Sequence, residues 1–116
     1  MPIISARDGG PAVLLFHSLA DPARLDIVRL LAAGEHRVVD LTRELGLAQS
    51  TVSGHLACLH SSGVVEARPD GRSTYYRVAR AELWPLLAAA EDLLRATGTT
   101  AALCPEHHRP VWAGAG

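Results

Sequence analysis

The stretch VDLTRELGLAQSTVSGHLACLHSSG, residues 39–63, decides the fold. Leu41 and Leu45 stand four apart and Gly46 follows, which predicts a short helix over 39–45 that stops at a residue free to enter left-handed backbone. Ala48 opens a second run, whose apolar positions Val52, Leu56 and Leu59 repeat at helical spacing as far as Gly63. Two short helices joined by a tight glycine-containing turn, the second opening with Gln49, Ser50 and Thr51, form the pattern of a helix-turn-helix. Periodicity alone fits any helical hairpin, and the flanking sequence distinguishes between them.

Upstream, Pro11 is positioned to open a first helix through Leu14, Leu15 and Leu19. Asp21-Pro22 then reads as an N-cap followed by proline at the first helical position, and Leu25, Val28, Leu31 and Ala32 continue a second helix to Gly34. Downstream, 64–68 and 73–78 are rich in β-branched and aromatic residues around Pro69-Asp70-Gly71-Arg72, which predicts a β-hairpin. A last helix is expected from about Ala81 to Thr97, with Leu83, Leu86, Leu87, Ala90, Leu93 and Leu94 on one wide apolar face. Pro85 falls in its first turns, where proline is tolerated.

The expected class is mainly α with a small β-hairpin: a winged helix-turn-helix that forms a homodimer through its first and last helices. The expected organisation is a flexible N-terminus at 1–10, one DNA-binding and dimerisation domain at 11–98, and a loosely ordered C-terminal tail at 99–116. A length of 116 residues excludes a multidomain enzyme and suits a single core that a dimer interface would reinforce. No apolar run approaches the roughly 20 residues that cross a bilayer, and the start has no secretory pattern. Two cysteines give no disulfide framework, so a cytoplasmic protein without a membrane partner is expected.

The net charge is only −1, yet it is unevenly spread. Residues 36–80 carry six Arg against four acids, while the segments on either side are net acidic. All 11 cations are Arg, whose planar fork suits phosphates and guanine edges. At the start of a helix that reads the major groove, Gln49, Ser50, Thr51, Ser53 and His55 are the candidates for base or phosphate contact to double-stranded DNA. Gly54 keeps that face small. Arg68 and Arg72 on the hairpin are candidates for phosphate or minor-groove contact, the alternative being ion pairs with Glu66 and Asp70.

Several motifs, in order, resemble the ArsR/SmtB family of bacterial metal-responsive repressors: Leu19-Ala20-Asp21-Pro22-Ala23-Arg24, Asp40-Leu41 with Leu45-Gly46-Leu47, Ser50-Thr51-Val52-Ser53-Gly54-His55-Leu56, and Gly71-Arg72-Ser73-Thr74-Tyr75-Tyr76. The likeness runs over about residues 12–98. It implies a homodimer that sits on an operator and leaves it when a metal binds.

The resemblance also implies where metal ligands lie. The arsenic-type site needs cysteine at the third helix, where this chain has Val38-Val39-Asp40-Leu41, and the zinc-type site needs histidine on the last helix, which has none over 81–97. The cadmium- and lead-sensing branch is similar at Cys58 and Cys104 but has a further cysteine where this chain has Ser62. Cys58 of one subunit and Cys104 of the other are therefore the expected metal residues, with His107 or His108 beside Cys104 as further donors. The inducer is then a divalent ion, cadmium or lead, or else zinc, nickel or cobalt. Alternatives are a redox-sensing repressor in which Cys58 and Cys104 oxidise to a disulfide, and a metal carrier that binds no DNA. Catalysis is not expected, because Cys58 with His55 or His60 has no evident orienting carboxylate or oxyanion pocket.

Overall fold

Asp21 and Pro22 start a helix as the sequence predicts: the Asp21 carboxylate accepts the backbone N–H of Arg24 at 3.0 Å, and Pro22 occupies the first turn of α2 (Pro22–Leu31). That N–H is the main reason the Asp21 carboxyl is held below its ordinary range. The structure, a computed structural model, describes residues 6–113 and divides after Ala79 into two compact units.

The first unit holds α1 (Ala6–Leu19), α2, β1 (His36–Arg37), α3 (Val38–Leu45), α4 (Gln49–Ser61), β2 (Val65–Asp70) and β3 (Ser73–Val78). Helix α1 begins five residues before the expected Pro11, which lies inside it, so part of the stretch expected to be flexible is helical. Residues 1–5 lie outside the described residues. Between α3 and α4 the chain turns at Gly46, with φ of 67°, where a side chain would be strained. The Gly46 N–H closes α3 onto the Thr42 carbonyl at 2.8 Å.

Helix periodicity puts Ile27, Val28, Leu31, Leu41, Val52, Leu56 and Leu59 inside, all 4% exposed or less. Val64 and Val65 lead from this core into the hairpin. Burying one such side chain contributes about 1.5–3 kcal/mol, enough for these helices to hold one another although each is short. The strands form an antiparallel sheet in the order β1-β3-β2. Arg68 pairs with Tyr75, and Asp70 pairs with Ser73, leaving Gly71-Arg72 as a two-residue connection narrower than the expected four-residue turn. Gly71 has φ of 62°, the backbone such a turn needs. Pro69 is tolerated because β2 is an edge strand. Helix-turn-helix followed by this hairpin is the winged helix-turn-helix fold.

The second unit contains α5 (Leu83–Ala96), within the expected bounds, and the chain that follows it. Leu83, Trp84, Leu87, Ala88 and Glu91 form its buried face. The helix ends at Gly98: the Gly98 N–H bonds to Arg95 O at 3.0 Å and the Thr99 N–H to Leu94 O at 2.8 Å. The stretch expected to be loosely ordered then follows α5 back. Leu103 N and Cys104 N donate to Glu91 Oε2 at 2.6 and 2.7 Å, and a single 3-10 turn, Glu106–His108, brings His108 flat onto Trp84 with ring centroids 4.5 Å apart.

Candidate nucleic-acid interface

Helix α4 is divided between two tasks by its sequence. Val52, Leu56 and Leu59 are buried, and the opposite side exposes Gln49, Ser50, Thr51, Ser53 and Gly54. A Cβ added at Gly54 would meet nothing within 4 Å, so the glycine leaves that side low and open. The structure thus brings four of the five expected α4 residues to one accessible polar face at the start of the helix. Hydroxyl and amide groups of this kind donate to and accept from base edges and phosphates.

His55 does not join that face. Its side chain is 18% exposed and turns toward the start of α2, with Nδ1 3.1 Å from Arg24 Nη1 and Nε2 3.9 Å from Asp21 Oδ2. One helical turn on from Thr51, the α4 surface already faces α2, which helical spacing alone does not reveal.

On the hairpin, Arg68 is paired, though not with Glu66 or Asp70. It grips Glu35, just before β1, with Nη2–Oε1 at 2.7 Å and Nε–Oε2 at 3.0 Å, and its guanidinium lies 5.0 Å over the Tyr75 ring. This contact holds the Glu35 carboxyl below its ordinary range. Sequence reasoning missed the partner because β1, which brings 35–37 beside β3, is two residues long. Arg77 pairs across the hairpin with Glu66, and Arg37 with Asp40 at 3.1 Å. Arg72 stands exposed at the hairpin tip. Three of the six Arg of 36–80 are therefore held in ion pairs, and Arg72 is the hairpin cation best placed to meet a phosphate.

The expected metal residues fall in two separate settings. Cys58 is half-buried on α4, and Ser62, at the end of that helix, donates its hydroxyl to Leu59 O at 3.0 Å. Cys104 is buried in the second unit, its Sγ 3.6 Å from Pro105 O. Burial pushes its thiol above the ordinary value, with Glu91 and Glu106 adding to the rise and Arg109 opposing it. His107 is exposed and leans on His108, the rings 4.3 Å apart, while His108 stacks on Trp84. Among the described residues no three His, Cys, Asp or Glu side chains come together as a metal site.

Residue Glu91 was not foreseen. It is 2% exposed, yet it accepts two backbone N–H groups and the Arg109 guanidinium, whose Nη1 lies 2.6 Å from Oε1. Burial alone would push its carboxyl up, but Arg109 and the N–H groups of Cys104 and Leu103 outweigh it and hold the carboxyl below its ordinary range. Among the described residues no helix is long and apolar enough to cross a membrane.

Residues 21–67 match the family described as bacterial regulatory protein, arsR family. The chain is 36% identical over 78 residues to a probable mercury resistance operon repressor of Streptomyces lividans, a match spanning 67% of this chain and 62% of that one. It is 35% identical over 89 residues to a biofilm growth-associated repressor of Agrobacterium fabrum, spanning 77% and 75% of the two chains. Among solved structures it is similar to a homodimeric winged helix-turn-helix DNA-binding domain from Mycobacterium bovis, with a TM-score of 0.70, 31% identity, and coverage of 84% and 90%.

Proposed function

Because this chain belongs to the arsR family of bacterial regulatory proteins, we propose that it is a cytoplasmic transcriptional repressor that binds duplex operator DNA as a homodimer. One observation carries the reading: Gln49, Ser50, Thr51 and Ser53 form an exposed polar face on a helix whose other side is locked into the core by Val52, Leu56 and Leu59. A rigid polar helix face is what base readout in the major groove requires. The dimer is supported by the homodimeric Mycobacterium bovis domain and by the apolar residues Val13 and Phe16, 63% and 60% exposed on α1. A two-fold arrangement would let the chain engage two half-sites at once.

For the release signal we propose a divalent metal ion of the soft class, cadmium or lead before zinc, nickel or cobalt. The thiols of Cys58 and Cys104 and the likeness to a mercury resistance operon repressor support it.

The test is to select duplexes from random sequence with the reduced protein, then challenge the complex with each metal, and separately with peroxide in the presence of chelator. Enrichment of a two-fold motif and release by cadmium or lead bear out both parts. Release by peroxide without metal transfers the signal to thiol oxidation, and failure to enrich any motif overturns the repressor reading.

A further inference from the structure

Arg24 spends each of its three guanidinium nitrogens on a different acceptor. Nε donates to Ser18 O at 2.7 Å and Nη2 to His17 O at 3.0 Å, two of the last carbonyls of α1, the second of which also accepts Ala20 N–H at 3.1 Å. Nη1 lies 3.1 Å from His55 Nδ1 on α4. Nε2 of the same ring lies 3.9 Å from the Asp21 carboxylate that caps α2. One arginine on α2 therefore joins the end of α1, the start of α2 and the middle of α4, and its planar fork fixes the direction of each bond as a lysine would not.

We propose that Arg24 and His55 are positioning residues for DNA recognition: their contact sets the orientation of α4, so that Gln49, Ser50, Thr51 and Ser53 reach the groove together, while neither residue touches DNA. This rests on the repressor reading and goes beyond it by removing His55 from the DNA-contacting set. The apolar contacts of Val52, Leu56 and Leu59 hold α4 in the core but are non-directional. A hydrogen bond at one turn's distance from the reading residues supplies the angular constraint that packing alone leaves loose.

The experiment measures affinity for the selected duplex and for a scrambled one over a range of salt, with Arg24→Ala, His55→Ala and His55→Asn, each checked by thermal unfolding. Asparagine is the diagnostic variant, because its Oδ1 is bonded to Cγ as Nδ1 is and can accept from Arg24. The expected result is that His55→Ala and Arg24→Ala bind the selected duplex about tenfold more weakly, equal to about 1.4 kcal/mol. Binding to the scrambled duplex and the slope of log affinity against log salt stay unchanged, the double Ala variant is no worse than Arg24→Ala, and His55→Asn restores binding. A slope lowered by about one in His55→Ala would show a direct phosphate contact and overturn the proposal. So would unchanged affinity, or an equal loss on both duplexes. If Arg24→Ala does not fold, the His55→Ala and His55→Asn pair decides. A wild-type protein that prefers no duplex overturns the repressor reading itself, and this inference with it.

Discussion

The Arg109 guanidinium closes on the Glu91 carboxylate across eighteen residues of chain, with Nη1 2.6 Å from Oε1. The same carboxylate receives Leu103 N and Cys104 N, and Arg109 Nη2 donates to Cys104 O at 3.1 Å, so the stretch from 103 to 109 is stitched to α5 through one buried charge. A lone carboxylate at this burial would be unfavourable; four donated hydrogen bonds make it an anchor.

Replacing the anchor should release the strap. Glu91→Ala leaves the Leu103 and Cys104 N–H groups without an acceptor, at a cost of about 1–3 kcal/mol for the buried group left unpaired. Native-state hydrogen exchange reads this directly: both amides should lose protection while amides of α4 keep theirs. Unchanged protection at both would contradict the anchor.

Acid should do the same. The folded Glu91 carboxyl lies below its ordinary value of 4.5, so its contribution is complete above about that pH and is lost as pH falls from there through the folded value. Trp84, stacked on His108, reports the strap by fluorescence in a Trp112→Phe chain. The transition below pH 4.5 should be present in that chain and absent when Glu91→Gln is added; identical acid transitions would refute the linkage.

The two thiols should differ in rate. The thiolate is the reactive form, and Cys104 is both 4% exposed and pushed up by burial, whereas Cys58 is half-buried. A disulfide reagent should titrate one fast and one slow thiol, with Cys58→Ser removing the fast phase and Glu91→Ala accelerating the slow one. A single common rate would contradict the buried setting of Cys104.

Much of the first unit was legible because its signals are local. Asp21-Pro22 caps α2, Gly46 turns between α3 and α4, and the apolar spacing of Val52, Leu56 and Leu59 matches their burial. The hairpin was placed, with its turn tightened to Gly71-Arg72. What escaped is non-local. β1 has two residues and exists only through pairing with Tyr75 and Tyr76; the Arg68 pair with Glu35 depends on that pairing. His55 occupies the turn where the exposed face of α4 meets α2, and Glu91 finds Arg109 only after the chain reverses at Gly98. Pro11, read as a helix start, lies within α1, which begins at Ala6.

Base readout and phosphate contact should separate by variant. Gln49→Ala should reduce discrimination between the selected duplex and one changed at a single base pair by about 1–3 kcal/mol, leaving the salt slope intact. Arg72→Ala should weaken all duplexes alike and lower the slope by about one. Arg68→Ala should change the slope less, because Glu35 already neutralises that guanidinium. Equal salt slopes for Arg72→Ala and wild type would take the hairpin tip out of the interface.

The central claim is that the α4 face reads duplex DNA, and fluorescence anisotropy of the reduced wild-type protein on its selected duplex, set against a scrambled duplex at the same salt, tests it most directly. Saturable binding at least a thousandfold tighter on the selected duplex is expected, the lower end of about 10³–10⁷ for specific readers, with log affinity falling linearly in log salt. Equal affinity for both duplexes, or no binding to either, would contradict it.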